Sequence, residues 1–191
     1  MNIEEKVKLI LRENPDIWKS ESSYFSYLRG CIRLAWMRNP VKLKFLAKAK
    51  KQIPNPNFGK PRNTKETVFG ATCEICSGDY PMKEVEVDHI SGGNYSLRSV
   101  ADIQGFFESV CIVSESDLRI VCKKCHGCLT YAAKMGISFD EARVIKEIID
   151  LQKEGKDTGK LLQLGITKSN IPTTKDKRRQ LLTKLMLESL S

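Results

Sequence analysis

A chain of 191 residues with 41% apolar content has room for one medium domain with extensions, or for one domain and a small satellite. It holds no run of 18 apolar residues and no signal-type leader, so neither a membrane-spanning nor a secreted protein is expected. Its seven cysteines, an odd number, argue against a disulfide framework and for a reducing cytoplasm. The formal charge of +9 is unevenly placed: residues 1–65 carry 15 Lys/Arg against five Asp/Glu, which leaves the remainder near neutral. A cationic arm on a near-neutral body points to a polyanionic partner, nucleic acid, bound with release of counterions.

In chain order, Ile3, Val7, Ile10 and Leu11 recur at helical spacing and predict a helix over 3–13, ended by Asn14-Pro15. Ser20 to Met37 predicts a second helix whose aromatics, Tyr24, Phe25, Tyr27 and Trp36, read as core rather than as platforms for bases. Asn39-Pro40 stops it, and Pro40 suits the first turn of a third helix, Val41 to Lys51. Arg29, Arg33, Arg38, Lys42, Lys44, Lys48, Lys50 and Lys51 lie on these two helices as candidate phosphate contacts; the alternative is a solvated face on an ordinary helical pair. Gln52 to Thr67, with Pro54, Pro56, Gly59 and Pro61, reads as an extended connector in which Lys60 and Arg62 continue the basic surface, or as a plain linker.

Two Cys-x-x-Cys pairs follow, Cys73/Cys76 and Cys122/Cys125, and both histidines of the chain, His89 and His126, fall inside or directly after the frame they make. Two such knuckles supply the four thiolates of a closed tetrahedral zinc site. The stretch 77–121 between them exceeds the about 15–20 residues of an ordinary zinc ribbon, so it carries content of its own. Glu84-Val85-Glu86-Val87-Asp88 alternates at period two and predicts a strand leading into His89. Asp117 to Val121 predicts a second strand running into Cys122. Between them come a flexible loop, Ser91-Gly92-Gly93-Asn94, and an amphipathic helix, Val100 to Val110. A helix from Cys125 to about Lys134 ends at Gly136, and Ser138-x-x-Glu141 is a capping box opening a helix from Phe139 to Leu151. The tail from Gly155 is polar, with one more helix over Lys175 to Glu188 that serves either phosphate contact or packing. Cys31, Cys111 and Cys128 read as small buried hydrophobes, with Cys128 an alternative metal ligand.

The run Cys73-x-x-Cys76, Glu86-Val87-Asp88-His89-Ile90, Asp117-Leu118, Cys122-x-x-Cys125-His126 resembles the zinc-stapled branch of the HNH (ββα-metal) endonucleases. Ser96-Leu97-Arg98-Ser99 and Tyr131-Ala132-x-x-x-Gly136-Ile137-Ser138-Phe139-x-Glu141-Ala142 are similar to phrases in small HNH proteins encoded by bacteriophages. The resemblance spans about residues 70–145 and, more loosely, 24–60. It implies an α+β protein: a basic helical arm and linker over 1–67, a zinc-stapled ββα-metal core over 68–152, and a helical extension over 153–191.

Hydrolysing a phosphodiester requires an activated water, charge neutralisation at phosphorus, and help for the leaving 3′ oxygen. An imidazole, with an unperturbed pKa of about 6.5, is suited to take the water's proton. The resemblance makes His89 that general base and gives Asp88 and His126 a catalytic Mg²⁺ or Mn²⁺, while zinc on the four cysteines stays structural. The family's usual Asn before Leu in the second strand is here Asp117, which cannot donate from an ionised side chain; Asn94 is the candidate substitute. The implied activity is nicking or double-strand cleavage of DNA leaving 5′-phosphates, the latter needing a homodimer or two encounters, in a host cytoplasm if phage-encoded. A zinc-dependent DNA-binding module without catalysis and an RNA nuclease are the alternatives.

Overall fold

The computed structural model describes residues 1–91 and 96–190, so Asn94 and most of the loop around it lie outside the described residues. The chain forms two compact units, Met1–Cys122 and Lys123–Ser191. It is a mixed α and β protein with small antiparallel sheets. Among the described residues no helix is long and apolar enough to cross a membrane.

In the first unit, α1 (Ile3–Glu13) starts in a reciprocal cap, Asn2 accepting from the Glu5 N–H while the Glu5 carboxylate accepts from that of Asn2, both at 2.8 Å. Ser20 caps α2 (Glu21–Met37). Asn39 caps α3 (Pro40–Ala49), whose first residue is the proline, and its amide donates at 2.9 Å to the Cys111 carbonyl 72 residues away. Of the aromatics of α2, Phe25 is core, 1% exposed and packed with Leu97 and with Phe106 of α4 (Asp102–Cys111). Tyr24 and Trp36 are half-buried, and Tyr27, expected in the core, is exposed because it lies off the inward stripe of Phe25, Leu28 and Ile32.

A three-stranded antiparallel sheet in the order β1-β2-β3 comprises Lys51–Pro54, Thr67–Thr72 and Asp79–Pro81. This corrects the reading of Gln52 to Thr67 as a connector and of Lys51 as helical: Lys51–Pro54 pairs residue for residue with Gly70–Thr67. The signal was too short to see, because a four-residue strand with one buried side chain, Ile53, shows no alternation and ends in a proline. Gly70 sits where strands and side chains crowd; a Cβ there would drive into the Ile53 side chain and the Tyr80 carbonyl. Gly70→Ala is expected to cost about 1–3 kcal/mol, the range for overpacking, read as a lowered midpoint in urea unfolding.

The second sheet is a two-stranded antiparallel ribbon of β4 (Val85–His89) and β5 (Leu118–Cys122), registered from Val85 opposite Cys122 to His89 opposite Leu118. Val85, Val87, Leu118 and Ile120 form its buried face with Ala71, and α3 lies on that face through Val41, Phe45, Leu46 and Ala49, joined by Trp36 of α2. The basic helix α3 is therefore also a core helix, and its lysines are what remains outside the packed stripe.

The second unit is helical: α5 (Lys123–Met135), α6 (Phe139–Lys153), α7 (Asp157–Gln163) and α8 (Lys175–Glu188). Gly136, at φ 65°, ends α5, and Ser138 with Glu141 forms the expected capping box. Val144 and Ile148 of α6 pack against Leu161 of α7 and Leu182 and Met186 of α8. Helix α7 was not expected from the polar tail; seven residues carrying one fully buried leucine give no periodicity to read.

Helix α8 packs rather than presenting its whole charge run. Arg178 Nε donates at 2.8 Å to Asp157, which is 4% exposed, and Arg179 donates to the buried Gln152. Burial pushes the Asp157 carboxyl up, but the hydrogen bond and charge of Arg178 outweigh it and hold the group below the ordinary carboxylate range. A depressed folded-state pKa contributes stability above the unfolded value of about 3.9 that is lost as pH falls through the folded value. Arg178→Ala leaves a buried carboxylate without its partner and is expected to cost about 3–5 kcal/mol at pH 7, with the deficit narrowing towards pH 3 in thermal melts.

Candidate metal centre and functional residues

Strand β2 ends at Thr72, and the first knuckle follows in a tight turn. The Ser77 N–H donates to the Cys73 carbonyl, and the Cys73 N–H to the Gly78 carbonyl, both at 2.8 Å, with Ser77 in the left-handed region at φ 57°. Glu74 ties this turn to β5: its N–H donates to the Ile120 carbonyl at 2.8 Å, and its carboxylate accepts from the Ile120 N–H at 2.6 Å. The second pair begins on the last residue of β5, Cys122, and ends inside the first turn of α5, at Cys125.

The sulfurs of Cys73, Cys76, Cys122 and Cys125 all lie within 4.8 Å of one another, and all four are free of disulfides. A tetrahedral zinc with Zn–S bonds of about 2.3 Å sets its sulfurs about 3.8 Å apart, so this cluster is compatible with such a site after a small contraction. Among the described residues it is the one group of three or more His, Cys, Asp or Glu placed to hold a metal. Cys73, Cys122 and Cys125 are buried and Cys76 is exposed. The Tyr80 hydroxyl sits 3.4 Å from Cys76 Sγ in a hydrogen bond in which either atom can donate; that bond, then burial and the neighbouring Cys122, push the Tyr80 titration upward. Outer hydrogen bonds of this kind orient metal ligands.

The remaining cysteines divide. Cys128 is buried against Ala132 and Ala142, and Cys111 is half-buried with its thiol pushed up by burial. Cys31 is exposed on α2, contrary to the expectation that it is a core residue, because the inward stripe of that helix runs through Phe25, Leu28 and Ile32.

His89 closes β4 on the same face as Val85 and Val87, opposite Leu118. Trp36 stacks on its ring, centroids 4.5 Å apart and planes tilted by 35°, and the imidazole Nε2 is buried with no hydrogen-bond partner among the described residues. Asp88, one residue earlier, points to the other face of the ribbon. There it meets its cross-strand neighbour Arg119, whose Nε and Nη2 both contact Oδ2, at 2.9 and 2.8 Å.

Asp117 turns its carboxylate to Ser114, accepting from the Ser114 N–H at 2.7 Å and hydroxyl at 2.6 Å. These bonds hold it below the ordinary carboxylate range, with a smaller contribution from the nearby charge of His89. The brace on the chain after His89 is main-chain: the Ile90 N–H donates to the Asp117 carbonyl at 2.8 Å. Any residue type at 117 can supply that bond. His126 is half-buried in the first turn of α5, the residue after Cys125.

The basic surface is partly neutralised within the fold. Lys44 and Lys48 reach Glu115 at 3.7 and 2.6 Å, and Lys51 reaches Asp79 at 2.7 Å. Lys50 stands over the Phe69 ring, Lys42 over Trp36, and Lys60 donates to Asn57. Arg33, Arg38 and Arg62 are exposed, and Arg29 is half-buried. Sequence reasoning missed Arg119, Tyr80 and the role of Trp36. A one-residue cross-strand register is the signal that would have found Arg119; the other two depend on tertiary packing. Comparison with protein-family models, with curated proteins and with solved structures gives no match for this chain.

Proposed function

We propose that this protein is a metal-dependent endonuclease of the HNH (ββα-metal) type that hydrolyses DNA phosphodiester bonds, with zinc on the four cysteines as a structural staple. The observation that carries the reading is the order strand, strand, helix: His89 ends one strand of an antiparallel ribbon, and the other runs through Cys122 into the cysteine cluster and α5. In this reading His89 takes a proton from water, and the hydroxide attacks phosphorus in line with the leaving 3′ oxygen. The resemblance assigns a divalent cation, Mg²⁺ or Mn²⁺, to Asp88 and His126; bound there, it would neutralise charge developing on the phosphoryl and leaving oxygens.

The second reading, a zinc-dependent nucleic-acid-binding module without catalysis, is favoured by one observation: Asp88 is engaged by Arg119. Incubation of the zinc-loaded protein with DNA and with RNA, without added divalent cation or with Mg²⁺ or Mn²⁺, separates the readings. Cleavage of DNA confined to the Mg²⁺ or Mn²⁺ arms, with 5′-phosphate ends, supports the nuclease; binding without cleavage in every arm supports the module, and cleavage of RNA alone makes it a ribonuclease.

Both readings predict salt-dependent binding led by the exposed arginines. Replacing Arg33 and Arg38 by Ala is expected to flatten the slope of log K against log salt by about 0.9 for each phosphate that is no longer neutralised. Replacing Lys44 and Lys48, already held by Glu115, should change it less, as read by fluorescence anisotropy over a salt series.

A further inference from the structure

An imidazole that works in proton transfer is ordinarily aimed by a hydrogen bond to its second nitrogen, which fixes both tautomer and ring plane. Among the described residues His89 lacks that device: Nε2 is shut away from solvent and has no partner there. A buried nitrogen without a partner is uncommon enough to need a reason. The contact that grips the ring is aromatic. Trp36 lies over it at 4.5 Å with a 35° tilt, inside the spacing of favourable ring pairs. Trp36 is itself held, packed on the apolar face of the β4–β5 ribbon with the Lys42 ammonium 4.7 Å from its centroid. Below the ring the backbone is fixed by the strand pair with Leu118 and by the Ile90 to Asp117 hydrogen bond.

We propose that Trp36 is a positioning residue for His89: the indole holds the imidazole plane at the end of β4, keeps Nε2 from water, and leaves Nδ1 as the nitrogen that meets the reacting water. Its catalytic consequence rests on the nuclease reading above; the fixing of the ring does not. The arrangement gives α2 a part in the chemistry that neither its basic residues nor its place in the arm would indicate. On the nuclease reading, Nδ1 carries the lone pair that takes the water's proton, which puts the proton of the resting ring on Nε2.

The test compares the full-length, zinc-loaded protein with Trp36→Phe, which keeps a ring, and Trp36→Leu, which keeps bulk without one. The chain has only two histidines, so ¹⁵N imidazole spectra contain two rings, and His89→Ala identifies which signals belong to His89. The parent and Trp36→Phe are expected to show His89 in one predominant tautomer protonated at Nε2. Trp36→Leu is expected to show averaging of the two tautomers, with kcat for nicking reduced about tenfold and KM unchanged, the pattern of a displaced catalytic group. Equal zinc content and melting temperature across the set separate this from unfolding. His89 signals that stay unchanged in Trp36→Leu overturn the proposal, as does a changed ring with an undiminished kcat. If the parent cleaves nothing, the nuclease reading falls, and the imidazole spectra still decide whether Trp36 fixes the ring.

Discussion

Removal of zinc is expected to unfold the knuckle region rather than merely to weaken it. The protein should carry one zinc per chain, and Cys122→Ser should lose both the metal and the cooperative melt of the parent. Binding free energy at a structural cysteine site is folding free energy, about 10–16 kcal/mol in small zinc modules at neutral pH, against a whole-domain stability of about 5–15 kcal/mol. The apolar core that would have to substitute is small: the buried cluster around the ribbon is Ala71, Val85, Val87, Leu118 and Ile120. The first knuckle is held to β5 by the two Glu74 bonds, which depend on the same turn staying closed. Zinc content by mass spectrometry of metals, with circular dichroism before and after a strong chelator, reads the outcome. A chelated protein that retains the parent melt would show that the cysteines pack as thiols and that no staple is needed.

His89→Ala is expected to lower the nicking rate by about 10²–10⁴, the contribution of a positioned general base, while leaving the fold in place. Truncation of a half-buried ring removes the stack on Trp36, worth about 0.5–1.5 kcal/mol, and leaves a void beside Leu118 rather than an unpaired charge. The melting temperature should therefore fall by a few degrees, at about 2–4 °C per kcal/mol for a chain of this size, with zinc retained. Asp88→Ala is a less clean probe, because it also strands Arg119.

Much of the architecture was legible because local signals agreed. The capping boxes at Ser138 and Glu141, proline at the start of α3, and the alternation through Val85 and Val87 each specify an element without help from tertiary contacts. The cysteine spacing identified a four-sulfur cluster for the same reason: each knuckle is a local turn. What escaped was set by pairing across the chain. Strand β1 exists because Ile53 lies opposite Val68, and neither residue announces the other. Arg119 is the cross-strand neighbour of Asp88, a relation visible only once the register is known, and with it comes an ion pair on that carboxylate. Trp36 looked like one more core aromatic on α2; its meeting with His89 depends on how α2 and α3 lie on the ribbon. Charge was read correctly as residue content and less well as free surface, since Glu115 and Asp79 neutralise lysines that sequence spacing alone leaves open.

The most direct measurement is conversion of supercoiled plasmid by parent and His89→Ala, each confirmed to hold one zinc, with and without added Mg²⁺. The account predicts nicked circles from the parent in Mg²⁺ alone and essentially none from His89→Ala. Equal nicking by the two proteins, or none by the parent in any metal while it still binds DNA, would contradict it.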